Sequence, residues 1–388
     1  MDRVITSANW VEIDLDALKY NYEGLRNKLS KDTKMCMVVK ANGYGHGSVE
    51  MSKLYERLGA DFLAVARSSE GLELRENGIK LPILNLGFTN PNDYENIIEG
   101  NISSTIFDVE TAEKLNEVAS KINKIAKVHI KIDTGMSRLG FLALEKNYEN
   151  ILQDVKYISE LPNVKIEGIF THFSTSDSKN KEFERIQLKR FEDVIDMLQK
   201  NGLDVGIRHC SNSAEILDTD VEFDMVRPGI IQYGIYPSDE VNKTVDVKPV
   251  MSFKAKVTNV KILDPGTSIS YGRTYFTTNQ EKIASIAVGY ADGFLRGRKK
   301  PYVYINGEKC PIVGRICMDQ CMVRVPMDMD VKINDDVVLF GEGLISVTEI
   351  ANSCDTIEHE ILCNINRRVP RIYKKDGEIC NIIDYILK

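Results

Sequence analysis

The stretch VVKANGYGHG, residues 38–47, places a lysine directly after a β-branched apolar run and ahead of a turn holding three glycines. A charge at the end of a buried strand is unfavourable without a partner or a task, so Lys40 is a candidate for chemistry. Other reactive side chains follow apolar runs in the same manner: Lys131 and Asp133 to Arg138 in KIDTGMSR, His172 in THFSTSD, His209, Asn212 and Ser213 in RHCSNSAE, and Arg227 and Gly229 in MVRPGI. Taken singly, each has a plain structural reading, as a hydrogen-bonded histidine or a solvated turn arginine. Together they supply an amine, a histidine and two arginines, while Ser213 and the backbone N–H groups around Gly229 and Ile230 suit a phosphate. An amine near a phosphate cradle, with no metal signature, fits a phosphate-bearing aldehyde cofactor held as a Schiff base, and pyridoxal 5'-phosphate is the candidate. A barrel aldolase with a Schiff base to its substrate is the alternative, but its lysine is expected late in the barrel rather than after the first strand.

The elements that must position these groups are short β-rich runs at 35–39, 61–66, 82–87, 103–107, 127–132, 165–170, 205–209 and 222–226, most separated by helical patterns such as EDVIDMLQK, 192–200. Such alternation predicts an α/β fold with an N-terminal (β/α)8 TIM-type barrel, whose functional groups gather at the C-terminal strand ends. A doubly wound open sheet is the other topology compatible with it. After YGIYPSD the texture changes: VNKTVDVKPV reads as a linker, and SFKAKVTNVKIL, EKIASIAVGY, VYINGEKCPIVG and VVLFG read as strands, with Asn306-Gly307 as a hairpin turn. The expected organisation is a barrel over residues 1–242, its first ten or so residues packing with either body, and a mostly-β C-terminal domain over 243–388.

Composition narrows the class. A chain of 388 residues with 43% apolar and 28% charged residues has the balance of a globular protein, and a net charge of −7 disfavours nucleic acid or an anionic membrane as partner. No uninterrupted apolar run is long enough to span a bilayer, and MDRVITSANW carries no apolar core of signal-peptide length. A cytoplasmic setting is expected, in which the eight scattered cysteines stay reduced. Cys317 and Cys321 lack the second pair or histidines of a zinc set, and no metal is expected.

The motifs VVKANGYGHG (38–47), KIDTGMSRLGF (131–141), THFSTSD (171–177), HCSNSAE (209–215), MVRPGIIQYGIYP (225–237), SYGRTY (270–275), VGYADGF (288–294), VGRICMDQ (313–320) and RRVPRIY (367–373) stand in one order across nearly the whole chain. In that set the chain resembles the alanine racemases, fold-type III pyridoxal phosphate enzymes that interconvert L- and D-alanine. The resemblance implies a homodimer with shared active sites, alanine as substrate and D-alanine supplied for peptidoglycan of the cell wall. It implies Lys40 as the Schiff-base lysine, Tyr44 as a phosphate ligand, Ser213, Gly229 and Ile230 as the phosphate cradle, and Arg227 as partner of the pyridine nitrogen. Arg138 is similar to the arginine that holds the substrate carboxylate, with the Met318 backbone contributed from the other subunit, and Lys131 matches a position that is carbamylated in many relatives. Tyr271 is similar to the second catalytic base, also contributed across the dimer interface, and His172 to the group that tunes it.

One position departs from the pattern: Arg367 stands where some relatives have a tyrosine that touches the phosphate and narrows the entrance. Its cation suits a phosphate, but the gating role does not carry over. The alternatives to an alanine racemase are a serine or broad-specificity racemase on the same scaffold and a non-catalytic pyridoxal phosphate carrier. A carrier would end after the barrel, whereas this chain continues into the domain bearing Tyr271 and Met318.

Overall fold

The computed structural model describes residues 7–218 and 221–387. They form two compact units, one made of Lys19–Gly43 with Ser48–Lys248, the other of the described residues up to Leu18, Tyr44–Gly47 and those from Pro249 onward.

The first unit is a parallel barrel. Its strands are β1 (Lys34–Val38), β2 (Phe62–Val65), β3 (Ile83–Asn85), β4 (Ile102–Ile106), β5 (Ala126–Asp133), β6 (Val164–Phe170), β7 (Ile207–His209) and β8 (Met225–Val226), each at an expected run. They neighbour one another in chain order, and β8 pairs in parallel with β1, Met225 opposite Lys34 and Val226 opposite Met35. Asp224 N–H donates to Arg208 O at 3.0 Å and Arg227 N–H to Ser211 O at 2.9 Å, which ties β7 to β8. An open sheet would leave two unpaired edges; here the ring closes. Strands β2, β3 and β4 are buried throughout because helices cover one face and the barrel interior the other. The helix Glu182–Lys200 shows the matching pattern, with Phe191, Val194, Ile195 and Leu198 on its buried stripe.

Two local departures from the sequence expectation have clear causes. Strand β5 runs on to Asp133, whose carboxylate oxygen accepts the N–H groups of Gly135 at 2.9 Å and Ser137 at 3.0 Å and so turns the chain only after the strand's last residue. The linker-like stretch is a strap on the barrel unit up to Lys248. Val241 and Val245 are buried, the Thr244 hydroxyl donates to Leu217 O at 2.8 Å, and Lys248 exchanges two hydrogen bonds with the Asn21 side chain.

The second unit is a mixed sheet in the order Glu308–Pro311, Tyr302–Ile305, Asp336–Phe340, Met251–Leu263, Asn9–Asp14, Arg371–Lys375, Glu378–Ile383. Glu281–Ile286 branches from Met251–Leu263 and pairs in turn with Cys321–Val325. Asn9–Asp14 runs antiparallel to Met251–Leu263 and parallel to Arg371–Lys375. Residues 1–6 lie outside the described residues. Asn306 and Gly307 have φ of 49° and 82°, the left-handed pair a tight hairpin requires between Ile305 and Glu308.

Gly168 in β6 is tightly packed against His129. A methyl group there would lie 2.5 Å from His129 Nδ1 and 2.6 Å from the Ile207 carbonyl oxygen. Gly168→Ala is expected to destabilise the protein by about 1–3 kcal/mol through overpacking, read as a lower urea midpoint; an unchanged midpoint would show that the interior yields at His129.

Candidate active site

Lys40 lies two residues beyond the end of β1, where the chain enters a left-handed turn. Ala41, Asn42, Gly43, Tyr44 and Gly45 have φ of 52°, 55°, 61°, 50° and 82°. Each non-glycine residue in that conformation costs on the order of 1 kcal/mol, so the surroundings must hold it. Glu70 supplies much of the hold, accepting Ala41 N–H at 2.6 Å on one oxygen and Ala66 N–H at 2.8 Å on the other. Asn42 Oδ1 accepts Ser48 N–H at 3.2 Å.

Arg227, just past β8, is 4% exposed. Its Nη1 donates to His209 Nδ1 at 2.8 Å; its Nη2 donates to Thr171 O and Cys210 O, each at 2.9 Å, and faces His172 Nδ1 at 3.3 Å. Its Nε–H has no hydrogen-bond partner among the described residues. A guanidinium only donates, so the Nδ1 atoms of His172 and His209 are acceptors and each ring carries its proton on Nε2. Burial lowers Arg227 to about 10, which leaves it a cation at neutral pH. Burial, then the charges of Arg227, Lys131, Arg138 and Lys40, hold His172 well below the usual imidazole value. The sequence-predicted cations of β1, β5 and β8 therefore converge on one neutral histidine.

Lys131 points inward from β5 and is buried, with its ammonium nitrogen 4.4 Å from the Phe170 ring centroid and no hydrogen-bond partner among the described residues. Burial first, then Arg227 and Arg138, push its pKa well below the lysine value, which favours the free amine. Arg138 is exposed in the loop beyond. Ser213 opens the short helix Ser213–Asp218, and its hydroxyl accepts Gly229 N–H at 2.8 Å and Ile231 N–H at 3.4 Å. Ile230 stands between those two residues, at the start of the turn Ile230–Tyr233.

The remaining candidates belong to the sheet unit. Tyr44 is buried, and burial raises its phenol pKa above the usual value. Tyr271 is 68% exposed and Met318 52% exposed, unusual for large apolar side chains. Their loops are stitched together: the Ser270 hydroxyl donates to Arg315 O at 2.5 Å, and Ala291 N–H donates to Met318 O at 3.0 Å. Gly289 allows this approach, since a Cβ there would lie 2.1 Å from Met318 O. Arg367 is exposed, with its guanidinium 5.0 Å from the Tyr385 ring centroid. Among the described residues no group of three or more His, Cys, Asp or Glu side chains is placed to hold a metal ion.

Two family models match the chain, "Alanine racemase, N-terminal domain" over residues 13–237 and "Alanine racemase, C-terminal domain" over 250–373. The chain belongs to the alanine racemase family. An alanine racemase of Methanococcus maripaludis is 46% identical over 94% of this chain and 98% of its own length, and one of Clostridium novyi is 45% identical over 97% and 98%. A solved alanine racemase of Clostridium difficile 630 has a TM-score of 0.95 at 46% identity, covering 99% of this chain and 100% of the other. That of Bacillus anthracis with bound L-Ala-P has a TM-score of 0.93 at 35% identity, over 99% and 100%.

In this family member the sequence reading passed over the groups behind Arg227. His129 Nδ1 lies 2.8 Å from His209 Nε2, and His129 Nε2 faces Glu167 Oε2 at 3.4 Å. The signal was present: His129 precedes Lys131 by two residues on the same face of KVHIKI, and Glu167 interrupts the apolar run KIEGIF. Burial acts to raise Glu167, but His129, Ser103 and Lys127 outweigh it and hold its carboxyl at about 2, against 4.5 normally. The stabilisation from this depressed pKa is complete above about pH 4.5 and disappears as pH falls through about 2. Glu167→Gln is expected to be less stable than the parent by up to about 3 kcal/mol near neutrality, with the gap closing between those pH values, as denaturant melts across the acid range will show.

Proposed function

We propose that the rim of the barrel binds pyridoxal 5'-phosphate and that the chain, as a homodimer, interconverts L- and D-alanine. The carrying observation is Arg227: buried, pinned through both terminal nitrogens to neutral acceptors, and left with an Nε–H that makes no hydrogen bond among the described residues. The donor set fits the cofactor. Lys40 would hold its aldehyde, Ser213 with the backbone at Gly229 and Ile230 its phosphate, joined by Tyr44, and Arg227 its ring nitrogen. When bound, the cofactor supplies an electron sink that makes removal of the α proton of an amino acid feasible.

The chain's own residues then have separable tasks. Arg227 donates a hydrogen bond without surrendering its proton, because a guanidinium is too basic to lose it near neutrality. Racemisation needs a proton to leave one face of the substrate carbon and another to arrive on the opposite face. Lys40 would serve the face of D-alanine and Tyr271, from the partner subunit, that of L-alanine. A phenol with a reference pKa of about 10 is a weak base unless a donor favours its phenolate. His172 has its proton on Nε2, because Nδ1 faces Arg227, and so offers that donor. The exposure of Tyr271 and Met318 supports a role across an interface. Arg138 would hold the substrate carboxylate with the Met318 backbone of the partner.

Lys131 would act as a carbamate. Its nitrogen, in the free-amine form that burial favours, would attack carbon dioxide, a proton would leave the nitrogen, and the resulting anion would offset the charges of Arg138 and Arg227 in place of a repelling ammonium. A cytoplasmic location and supply of D-alanine for peptidoglycan complete the reading. No helix among the described residues is long and apolar enough to cross a membrane.

Purified protein is expected to be yellow and Lys40→Ala colourless, by visible absorbance; a colourless parent after reconstitution would overturn the cofactor assignment. Tyr271→Phe is expected to keep the colour yet slow turnover of L-alanine by about 10²–10⁴-fold, measured by chiral product analysis. Full L-to-D rate in that variant would remove Tyr271 from its role. Growth with ¹³C-bicarbonate is expected to give a carbamate ¹³C resonance that Lys131→Ala lacks, and its absence from the parent would leave Lys131 a free amine.

A further inference from the structure

Behind Arg227 a line of buried polar side chains runs through the barrel interior. Arg227 Nη1 donates to His209 Nδ1 at 2.8 Å, His209 Nε2 lies 2.8 Å from His129 Nδ1, and His129 Nε2 faces Glu167 Oε2 at 3.4 Å. Glu167 also accepts the Ser103 hydroxyl and lies 3.5 Å from Lys127 Nζ. Both imidazoles are fully buried, and His209 is stacked on Phe170 with ring centroids 4.8 Å apart.

The proton positions along this line follow from its first member. Arg227 has no acceptor, so His209 Nδ1 is bare and the single proton of that ring sits on Nε2. That proton can go only to His129 Nδ1, which leaves the His129 proton on Nε2, 3.4 Å from the Glu167 carboxylate in a charge contact rather than a hydrogen bond. The reverse order would give His209 two accepting nitrogens and no proton, an imidazolate.

We propose that His209, His129 and Glu167 form a one-way line of donors that fixes the orientation of Arg227, with Glu167 as its remote counter-charge and with His129 and Glu167 as positioning residues. The consequence for catalysis rests on the cofactor reading given above; the line itself does not. Arg227 makes no hydrogen bond to a carboxylate, only to imidazole nitrogens and carbonyls. Two neutral rings therefore carry the influence of the anion to the cation without placing a carboxylate at the rim, where it would repel an anionic substrate and phosphate. Burial, foremost, keeps both imidazoles below their usual pKa and hence neutral. Polarised chains of this kind strengthen each bond they contain, and a buried orienting partner is felt strongly by the group it orients.

The test is ¹⁵N solid-state spectroscopy of the histidine-labelled holoenzyme at neutral pH, with five histidines to assign. His129 and His209 are each expected to show a bare Nδ1 and a protonated Nε2; a protonated Nδ1 on either ring overturns the proposal. Two variants supply the second arm. In His129→Asn the side-chain carbonyl replaces the Nδ1 acceptor that His209 needs, although the shorter side chain does not reach the Nε2 position, whereas His129→Phe supplies no acceptor. His129→Phe is expected to shift the visible band of the bound cofactor and lower kcat by about tenfold or more with KM little changed, while His129→Asn stays within about threefold of the parent with the band in place. Equal behaviour of the two variants overturns the positioning role. A colourless parent would strike the cofactor reading alone, since the ring protonation states are read without it, and a reversed proton order in a yellow enzyme would strike the line alone.

Discussion

A guanidinium buried in a protein keeps its proton and accepts no hydrogen bond, so every group around it must be an acceptor or be turned away. Arg227 imposes that condition on the barrel unit. It dictates which nitrogen of His172 and which of His209 is bare, and it takes the carbonyls of Thr171 and Cys210 at the ends of β6 and β7. With burial and Arg138 it also lowers the pKa of Lys131, since a second buried cation nearby would lack compensation. Three ionisable groups thus have their pKa values lowered by burial first and by this one residue second.

The barrel makes this arrangement possible by geometry. Parallel strands covered on both faces are largely apolar, and among the polar exceptions His129 and Lys131 on β5 and His209 on β7 are buried where no solvent competes. Gly168 leaves the space His129 occupies. At the rim, the left-handed turn after Lys40 is held by Glu70, so strain is stored where the candidate amine projects and is offset by hydrogen bonds one strand away.

The sheet unit repeats the theme with a different arginine. Arg371 is fully buried and donates to the carbonyls of Gly45, Asn366, Val369 and Ile365, with no carboxylate among these partners. A cation satisfied by backbone carbonyls fixes loops rather than neutralising a charge, and the loops it fixes include the RVPR turn next to Arg367. Arg368 reaches outward to Asp292 at 2.9 Å and Asp319 at 2.7 Å, which ties together the segments on either side of Met318. Exposed Tyr271 and Met318 are therefore carried on well-anchored backbone.

Much of this protein was legible in the residue order. The eight β-rich runs and the motifs that follow them gave the barrel, the family and the rim positions of Lys40, His172, Ser213 and Arg227, because side-chain period and chain direction decide which residues reach a strand end. The Asn-Gly hairpin was legible for a local reason, the positive φ that both positions demand. What the order of residues left open was pairing across the barrel. His129 and His209 are 80 positions apart, and whether they meet at 2.8 Å depends on strand register and closure, which no local pattern encodes. The bare Nδ1 atoms facing Arg227, the lowered pKa of Lys131 and the strap at 241–248 emerge only when burial and partners are fixed together, because desolvation and hydrogen-bond direction are properties of a surrounding, not of a sequence.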